Sequence, residues 1–437
     1  MWAVRELRLA VKERLPLSVV AHFFVYTAGK IVLSSISVIM APLMMLLLSP
    51  ADYGLLSLIH SFNNVAIACL GLGLPQVLMV DYFRSSDSDR SLVINNIIGT
   101  YLVSAVPLVV LCALYPHFIY QYLFLPMHQS ILIYAILLIC LFSFFNDIMF
   151  QILQYHRYAV TVTTMQLTVA LLTALFNVVS VGYFHWGVAS IIWIQFFMVF
   201  VVFSVGLFLY CNCQLYKTFH CTNLTGRYAH NLKLGIPFLP SMIVGWLFAM
   251  LNRWMVAKYA GMEVAGVFAV ADAGGQLFYR FIVYPLQGAY GPALLNSYGS
   301  SVRPIKEIER SNHRIMVLVL CSLIMVSFIG YFLFRSMLYW IIPVRYEKAV
   351  GCILGILVSY IFLIGSYFVS NFIQFQKKCW IFVAALAVAV LINSVLNLLL
   401  IPCYGLSGCI GAMAIAYGSY FCILLIYNRV LLNLLGS

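Results

Sequence analysis

Long apolar runs, separated by short polar stretches, dominate the chain. Runs of spanning length fall near residues 20–48, 54–80, 92–116, 130–153, 158–182 and 187–211. A second set falls near 234–258, 264–290, 314–334, 349–375, 379–401 and 408–428. A helix crosses a bilayer with about 20 apolar residues, so the pattern predicts twelve transmembrane helices. Lys and Arg concentrate in alternate connecting segments, while Arg335, Arg345 and Lys348 stand on the other side. Cytoplasmic loops hold the basic excess. With an even span count, both termini are therefore expected on the cytoplasmic face. Val4, Leu7, Val11 and Leu15 recur at helical spacing with Arg5, Arg8, Lys12 and Arg14 between them. That pattern predicts an amphipathic helix on the inner membrane face.

The two sets of spans repeat. Ser49-Pro50-Ala51-Asp52-Tyr53-Gly54 joins the first two runs, and Gly261-Met262-Glu263-Val264-Ala265-Gly266 joins the seventh and eighth; 266 − 54 = 212. Gly187 and Gly405 join the fifth to sixth and eleventh to twelfth runs; 405 − 187 = 218. Pro75 and Pro285 repeat at a similar interval. Six spans is an even number, so both halves enter the membrane in the same direction. Parallel repeats of this kind place a substrate site between them. The expected fold is an all-α polytopic membrane protein, with about twelve transmembrane helices in two parallel six-helix repeats around a central cavity. Residues 1–19 form the N-terminal segment, 20–211 the first half, 212–233 a cytoplasmic linker, 234–428 the second half and 429–437 a cytoplasmic tail.

Composition supports this reading. Of 437 residues, 64% are hydrophobic and 8% charged, against about 25% charged in soluble domains. The net charge of +12 would suggest nucleic acid in a soluble chain; here the loop asymmetry accounts for it, and no nucleic-acid partner is expected. Most of the 12 cysteines sit singly in apolar runs. Cys211, Cys213, His220 and Cys221 share a loop, but their spacing matches no zinc module, so no metal site is expected. There is no Walker A motif, nucleophile elbow or paired-carboxylate loop, so no catalytic residue is assigned.

Charges inside apolar runs are costly and face protein or water-filled cavities. Arg253 and Lys258 lie on the seventh run, Asp272 and Arg280 on the eighth, Lys30 on the first and Asp147 near the inner end of the fourth. Arg253, Lys30 and Arg280 are candidates to bind an anionic head group such as a pyrophosphate, because arginine forms bidentate bonds to phosphate. Lys30 and Arg253 also read as structural or interfacial cations, and Lys258 as a snorkelling one. Asp272 and Asp147 are candidate proton or sodium sites; Asp272 also reads as the structural partner of Arg253 or Arg280. Asp272 and Arg280 project only about 80° apart around a helix. Glu307 and Glu309 are expected in a solvated loop, with a surface helix over 303–310. Pro42, Pro75, Pro237 and Pro285 are candidate hinges.

Several stretches together resemble a known family: Ser49-Pro-Ala-Asp-Tyr-Gly54, Leu234-Gly-Ile-Pro237-Phe-Leu-Pro240, Asn252-Arg253-Trp-Met-Val-Ala-Lys-Tyr-Ala-Gly261, Glu263-Val-Ala-Gly266, and Asn397-Leu-Leu-Leu-Ile-Pro402-Cys-Tyr-Gly405. They are similar to bacterial O-antigen and capsule repeat-unit flippases (Wzx type), of the multidrug/oligosaccharidyl-lipid/polysaccharide exporter superfamily. The family often has an acid before the arginine, where this chain has Asn252. The resemblance implies an inner-membrane flippase for undecaprenyl-pyrophosphate-linked oligosaccharide. It would work by alternating access without a bound cofactor, driven by a proton or sodium gradient. Membrane lipid, a polysaccharide polymerase and a chain-length regulator are the implied partners. A cation-coupled drug exporter and a membrane polysaccharide polymerase or ligase are the alternatives.

Overall fold

The computed structural model describes residues 17–434 except 87–88, 118, 120–122, 124–130, 156–157, 213–223, 287–289, 300–303, 377 and 379. The amphipathic N-terminal segment and the side chains of Cys211, Cys213, His220 and Cys221 lie outside the described residues. Every regular element among the described residues is helical. Hydrocarbon requires this, because a spanning segment must satisfy its backbone polar groups internally.

The helices in order are α1 (Leu17–Leu47), α2 (Pro50–Gly71), α3 (Leu74–Arg84), α4 (Arg90–Leu114), α5 (Ile131–Tyr155) and α6 (Ala159–Val178). Then come α7 (Gly187–Asn212), α8 (Leu224–Gly235), α9 (Leu239–Ala260), α10 (Met262–Pro285), α11 (Gly291–Gly299), α12 (Ile305–Ile341), α13 (Glu347–Phe375) and α14 (Trp380–Leu434). Nine helices among the described residues are long and apolar enough to cross a membrane. The last of these contains two of the expected spans, which meet at Gly405, where the backbone leaves the helical region at φ 57°. α10, which carries Glu263, Asp272 and Arg280, falls outside that set.

Local chemistry sets the boundaries. Ser49 caps α2: its hydroxyl accepts from the Asp52 amide at 3.1 Å and donates to the Asp52 carboxylate at 2.7 Å, with Pro50 at the first helical position. Three findings correct the expectations for the connecting segments. The linker expected over 212–233 ends in helix α8. The surface helix expected over 303–310 is instead the start of the 37-residue α12. The second expected span is broken at Leu72 and Gly73, both with positive φ, just before Pro75. Pro237 also lies at a break, in a short 3-10 turn between α8 and α9. Pro42 does not: α1 runs through it uninterrupted. Pro285 ends α10.

Packing divides the chain into two compact units. One contains residues 1–47, 74–122 and 126–233; the other contains 48–73, 123–125 and 234–437. The division differs from two contiguous halves at two places, 48–73 and 123–125, and the first of these is α2, which groups with the C-terminal helices. In the first unit α1 packs on α6, and α5 on α4 and α7. The Tyr101 ring stacks on Phe144 with centroids 3.7 Å apart, and its hydroxyl donates to the Leu141 carbonyl at 3.0 Å.

In the second unit α10 lies against both α2 and α13, and α14 against α9 and α13. The α2–α10 crossing explains why residues 48–73 belong here. A Cβ at Gly54 would lie 2.5 Å from the Met262 carbonyl oxygen, and one at Gly266 would overlap the Pro50 carbonyl. The contact is reciprocal, since 266 − 54 and 262 − 50 both equal 212. Reciprocity of this kind arises at a two-fold axis relating equivalent elements. The glycine pair read from the sequence as a repeat marker is thus the point where the two equivalent helices touch. Small residues serve there because helix association in lipid relies on close van der Waals approach.

Candidate functional site

The charges on α9 and α10 converge within the second unit. Arg253 Nη2 donates to Asp272 Oδ2 at 2.8 Å, with the two side chains 12% and 3% exposed. Two further donors hold the carboxylate: Gln276 Nε2 at 3.0 Å on the same oxygen and the Tyr360 hydroxyl at 2.9 Å on the other. Arg253 Nη1 reaches the Ser61 hydroxyl on α2 at 3.4 Å, and the Ser61 carbonyl accepts from the Trp246 indole at 2.7 Å. Arg253 Nε is buried and has no hydrogen-bond partner among the described residues. The geometry is a buried ion pair whose acid is bonded at both oxygens and whose base keeps its Nε unpartnered among the described residues.

Each participant is positioned by a neighbour. Asp272, Gln276 and Arg280 recur every fourth residue along one face of α10. Arg280 is exposed and reaches Asp272 only through Gln276, whose Oε1 accepts from Arg280 Nη2 at 3.4 Å. Tyr360 approaches α10 closely because Gly275 has no side chain; a Cβ there would fall 2.5 Å from the tyrosine ring. Tyr360 also packs edge-to-face with Tyr417, which stacks on Phe248.

Asn252 belongs to a different group. Adjacent helical residues point about 100° apart, and Asn252 turns away from Arg253 toward α14. Its Oδ1 accepts from Asn393 at 2.9 Å and Asn397 at 2.7 Å, all three side chains being buried. The acid missing from the position before Arg253 is supplied by Asp272 from the next helix. Of the other sites read from the sequence, Lys30 lies on α1 with its side chain outside the described residues. Asp147 is exposed on α5 and belongs to the first unit. Lys258 is exposed over the Tyr259 ring, as a snorkelling cation would be.

A second polar network corrects the expectation for Glu309. It is 1% exposed in the second turn of α12, while Glu307 remains exposed. Glu309 Oε1 accepts from the Tyr298 hydroxyl on α11 and from Asn312 Nδ2 at 3.2 Å; Oε2 accepts from Asn428 Nδ2 at 3.0 Å. His313 Nδ1 stands 3.5 Å from Oε2. The Tyr290 hydroxyl donates to Asn312 Oδ1 at 2.8 Å, and Asn312 also donates to the Phe368 carbonyl at 3.2 Å. Burial first, then the adjacent Glu309 carboxylate, push the Tyr298 phenol well above its ordinary range, so its proton stays in place as a donor. Among the described residues no cluster of three or more His, Cys, Asp or Glu could hold a metal ion.

Many apolar helices around buried ionic groups define a multi-pass membrane protein, and comparison with solved structures gives the same fold. An inward-facing multidrug-resistance MATE family transporter of the MOP superfamily superposes with a TM-score of 0.75 at 12% identity, covering 91% of this chain and 94% of that one. The inward closed conformation of the lipid II flippase MurJ gives 0.73 at 14% identity, covering 93% and 87%. A MOP superfamily transporter from Pyrococcus furiosus, described as having a binding pocket of reversed polarity, gives 0.54 at 11% identity, covering 96% of each chain. These likenesses establish the fold. Among curated proteins, none matches significantly. The family model "Polysaccharide biosynthesis protein" matches residues 19–298, more than half of the 437. The chain belongs to that family.

Proposed function

We propose that the chain is a flippase that carries an undecaprenyl-pyrophosphate-linked oligosaccharide, an O-antigen, capsule or exopolysaccharide repeat unit, from the cytoplasmic to the outer face of the bacterial inner membrane. The observation that carries this is the Arg253 guanidinium. It lies inside a helix bundle, retains an unused donor at Nε, and has the planar fork that matches phosphate. A pyrophosphate that takes Arg253 must compete with Asp272. The resting ion pair thus holds the cation ready without leaving it unpaired in a low-dielectric setting. Arg280, exposed and linked to the same carboxylate through Gln276, is the second cation for the head group; Lys30 is the third, from the sequence. Alternating access is proposed to use the breaks at Pro75 and Pro237, with Pro285 at the end of α10, and a proton or sodium gradient to drive it through Asp272 or Asp147. A polymerase and a chain-length regulator are the proposed partners, and both termini are placed on the cytoplasmic side.

Two observations weigh against the alternatives. An exporter of cationic drugs needs an unneutralised acid in its cavity, whereas Asp272 already has Arg253. A polymerase or ligase needs a sizeable outer segment with catalytic groups. The stretch over 334–348 is instead helical through Ile341 and resumes a short turn at Val344.

The test is surface polysaccharide in a strain that depends on this chain. The paired variant Arg253→Gln/Asp272→Asn removes both charges and leaves no buried ion uncompensated. Normal membrane abundance with no polysaccharide is the expected result, as is a strong defect for Arg253→Lys, which keeps the charge and loses the fork. Full polysaccharide from the paired variant would overturn the assignment.

A further inference from the structure

The second unit contains a pocket of about 510 Å³ that no step above uses. Volumes of roughly 300–1,000 Å³ are typical of small-molecule sites. The pocket is an open cleft lined by α9, α10, α11, α13 and α14. Its polar lining comes from Tyr279, Tyr367, Tyr420, Asn371 and Gln374, with Phe248 among its apolar walls. The hydroxyls of Ser366 and Ser370 also line it; both donate to carbonyls of their own helix, which leaves their oxygens able to accept.

No charged side chain lines this pocket. It nevertheless lies between two ionic networks. The Tyr279 ring is 6.0 Å from Tyr360, which holds Asp272. Gly291 of the lining follows Tyr290, which bonds the Asn312 that holds Glu309. The lining therefore selects by exclusion. An anion or cation would sit there without a counter-charge. Asn371 already donates to the Tyr367 carbonyl at 2.9 Å and the serines to their own helix, so a hydrocarbon would meet acceptor oxygens that it cannot bond, at about 1–3 kcal/mol each. A pyranose has the required combination: hydroxyls that both donate and accept, no charge, and flat C–H faces that rest on aromatic rings.

We propose that this pocket binds an uncharged sugar. Resting on the flippase reading above, it gives the substrate class: a repeat unit with a neutral sugar close to its pyrophosphate. Phe248 of the lining precedes Arg253 by five residues on α9, about 7.5 Å along the axis and about 140° around it, and Tyr279 of the lining packs on the Tyr360 that bonds Asp272, the partner of Arg253. A head group at Arg253 and a sugar in the pocket can thus belong to one ligand.

The experiment uses the full-length protein in detergent and saturation-transfer NMR, titrating methyl β-glucopyranoside, methyl β-galactopyranoside and N-acetylglucosamine, with glucuronate as the charged sugar and inorganic pyrophosphate as the probe for Arg253. Saturable binding of at least one neutral sugar in preference to glucuronate is expected. Tyr367→Ala and Asn371→Leu should each weaken it about tenfold, the loss of one stacking or hydrogen-bonding partner. Tyr367→Phe keeps the ring and should weaken it less. Arg253→Gln/Asp272→Asn should leave sugar binding unchanged and abolish pyrophosphate binding. Retained pyrophosphate binding shows that a pocket variant is folded. No saturable binding of any neutral sugar, tighter binding of glucuronate, or equal binding by wild type and folded pocket variants would each overturn the proposal. Failure of pyrophosphate binding alone would overturn the Arg253 assignment and leave the pocket standing.

Discussion

The second unit buries two carboxylates by opposite means. Asp272 is neutralised: a guanidinium at 2.8 Å carries the opposite charge, and Tyr360 and Gln276 complete its shell. Glu309 is solvated by dipoles: a phenol and two asparagine amides donate to it, and the basic side chain nearest it among the described residues is a histidine 3.5 Å away. Under the proposed function, the first arrangement exchanges its partner for the phosphate of the head group. The second has nothing to give away. Its donors come from α11, α12 and α14 and tie those helices to one point. The contrast predicts that the Asp272 network serves transport and the Glu309 network serves cohesion.

Removing Arg253 is the largest perturbation. Arg253→Ala leaves a buried carboxylate with two neutral donors, and breaking such a pair costs about 3–5 kcal/mol. A large fall in apparent melting temperature in detergent is expected. Adding Asp272→Asn should recover most of it, since the two sites are coupled, without restoring polysaccharide. If the double variant melts as low as Arg253→Ala, the ion pair is not what the single change breaks.

Glu309→Gln comes next. The amide cannot accept at both ends, and its own donors would face those of Asn428 or of Tyr298 and Asn312. A loss of about 1–3 kcal/mol is expected, with polysaccharide falling only as far as the amount of folded protein falls. A transport defect beyond that would erase the functional distinction between the networks.

The sequence carried the fold further than it carried the site. Twelve runs and the Gly54–Gly266 offset were legible because hydrocarbon imposes length and apolarity on every span. The Asp272–Arg280 face could also be read, since their spacing on one helix is fixed by the 3.6-residue period. Tyr360 and Ser61 were not legible. They reach the site from helices distant in sequence, and a tyrosine or serine in an apolar run carries no signal of its own. The resemblance marks Asn252 as a lost acid beside Arg253, yet consecutive helical residues face different neighbours, and Asn252 faces α14. Glu309 looked solvated because Lys306, Glu307 and Arg310 surround it. The four-residue period of α12 turns it inward with His313 while Glu307 and Arg310 stay exposed.

Tyr360→Phe tests how much of the Asp272 shell depends on a neutral donor. A hydrogen bond to a charged group contributes about 1.5–3 kcal/mol. The Arg253 pair remains, so the loss should fall at the low end of that range. Transport should persist, since the guanidinium stays beside its acid. Abolished transport with intact folding would mean that Tyr360, rather than the charge exchange at Arg253, limits the cycle.

The smallest effect should come from His313→Ala, and it bears most directly on the comparison. His313 is a quarter exposed, and its Nδ1 lies 2.9 Å from the Glu309 backbone carbonyl, closer than the carboxylate at 3.5 Å. The ring therefore bonds its own helix first and contributes little charge to Glu309. A stability change below about 1 kcal/mol is expected, the range of exposed ion pairs. It should also be the same in acidic and alkaline buffer. If His313 were the counter-charge of Glu309, the wild type would be measurably more stable in acid, and the substitution would remove that difference. A pH-dependent loss comparable to that of Glu309→Gln would make the second network an ion pair like the first.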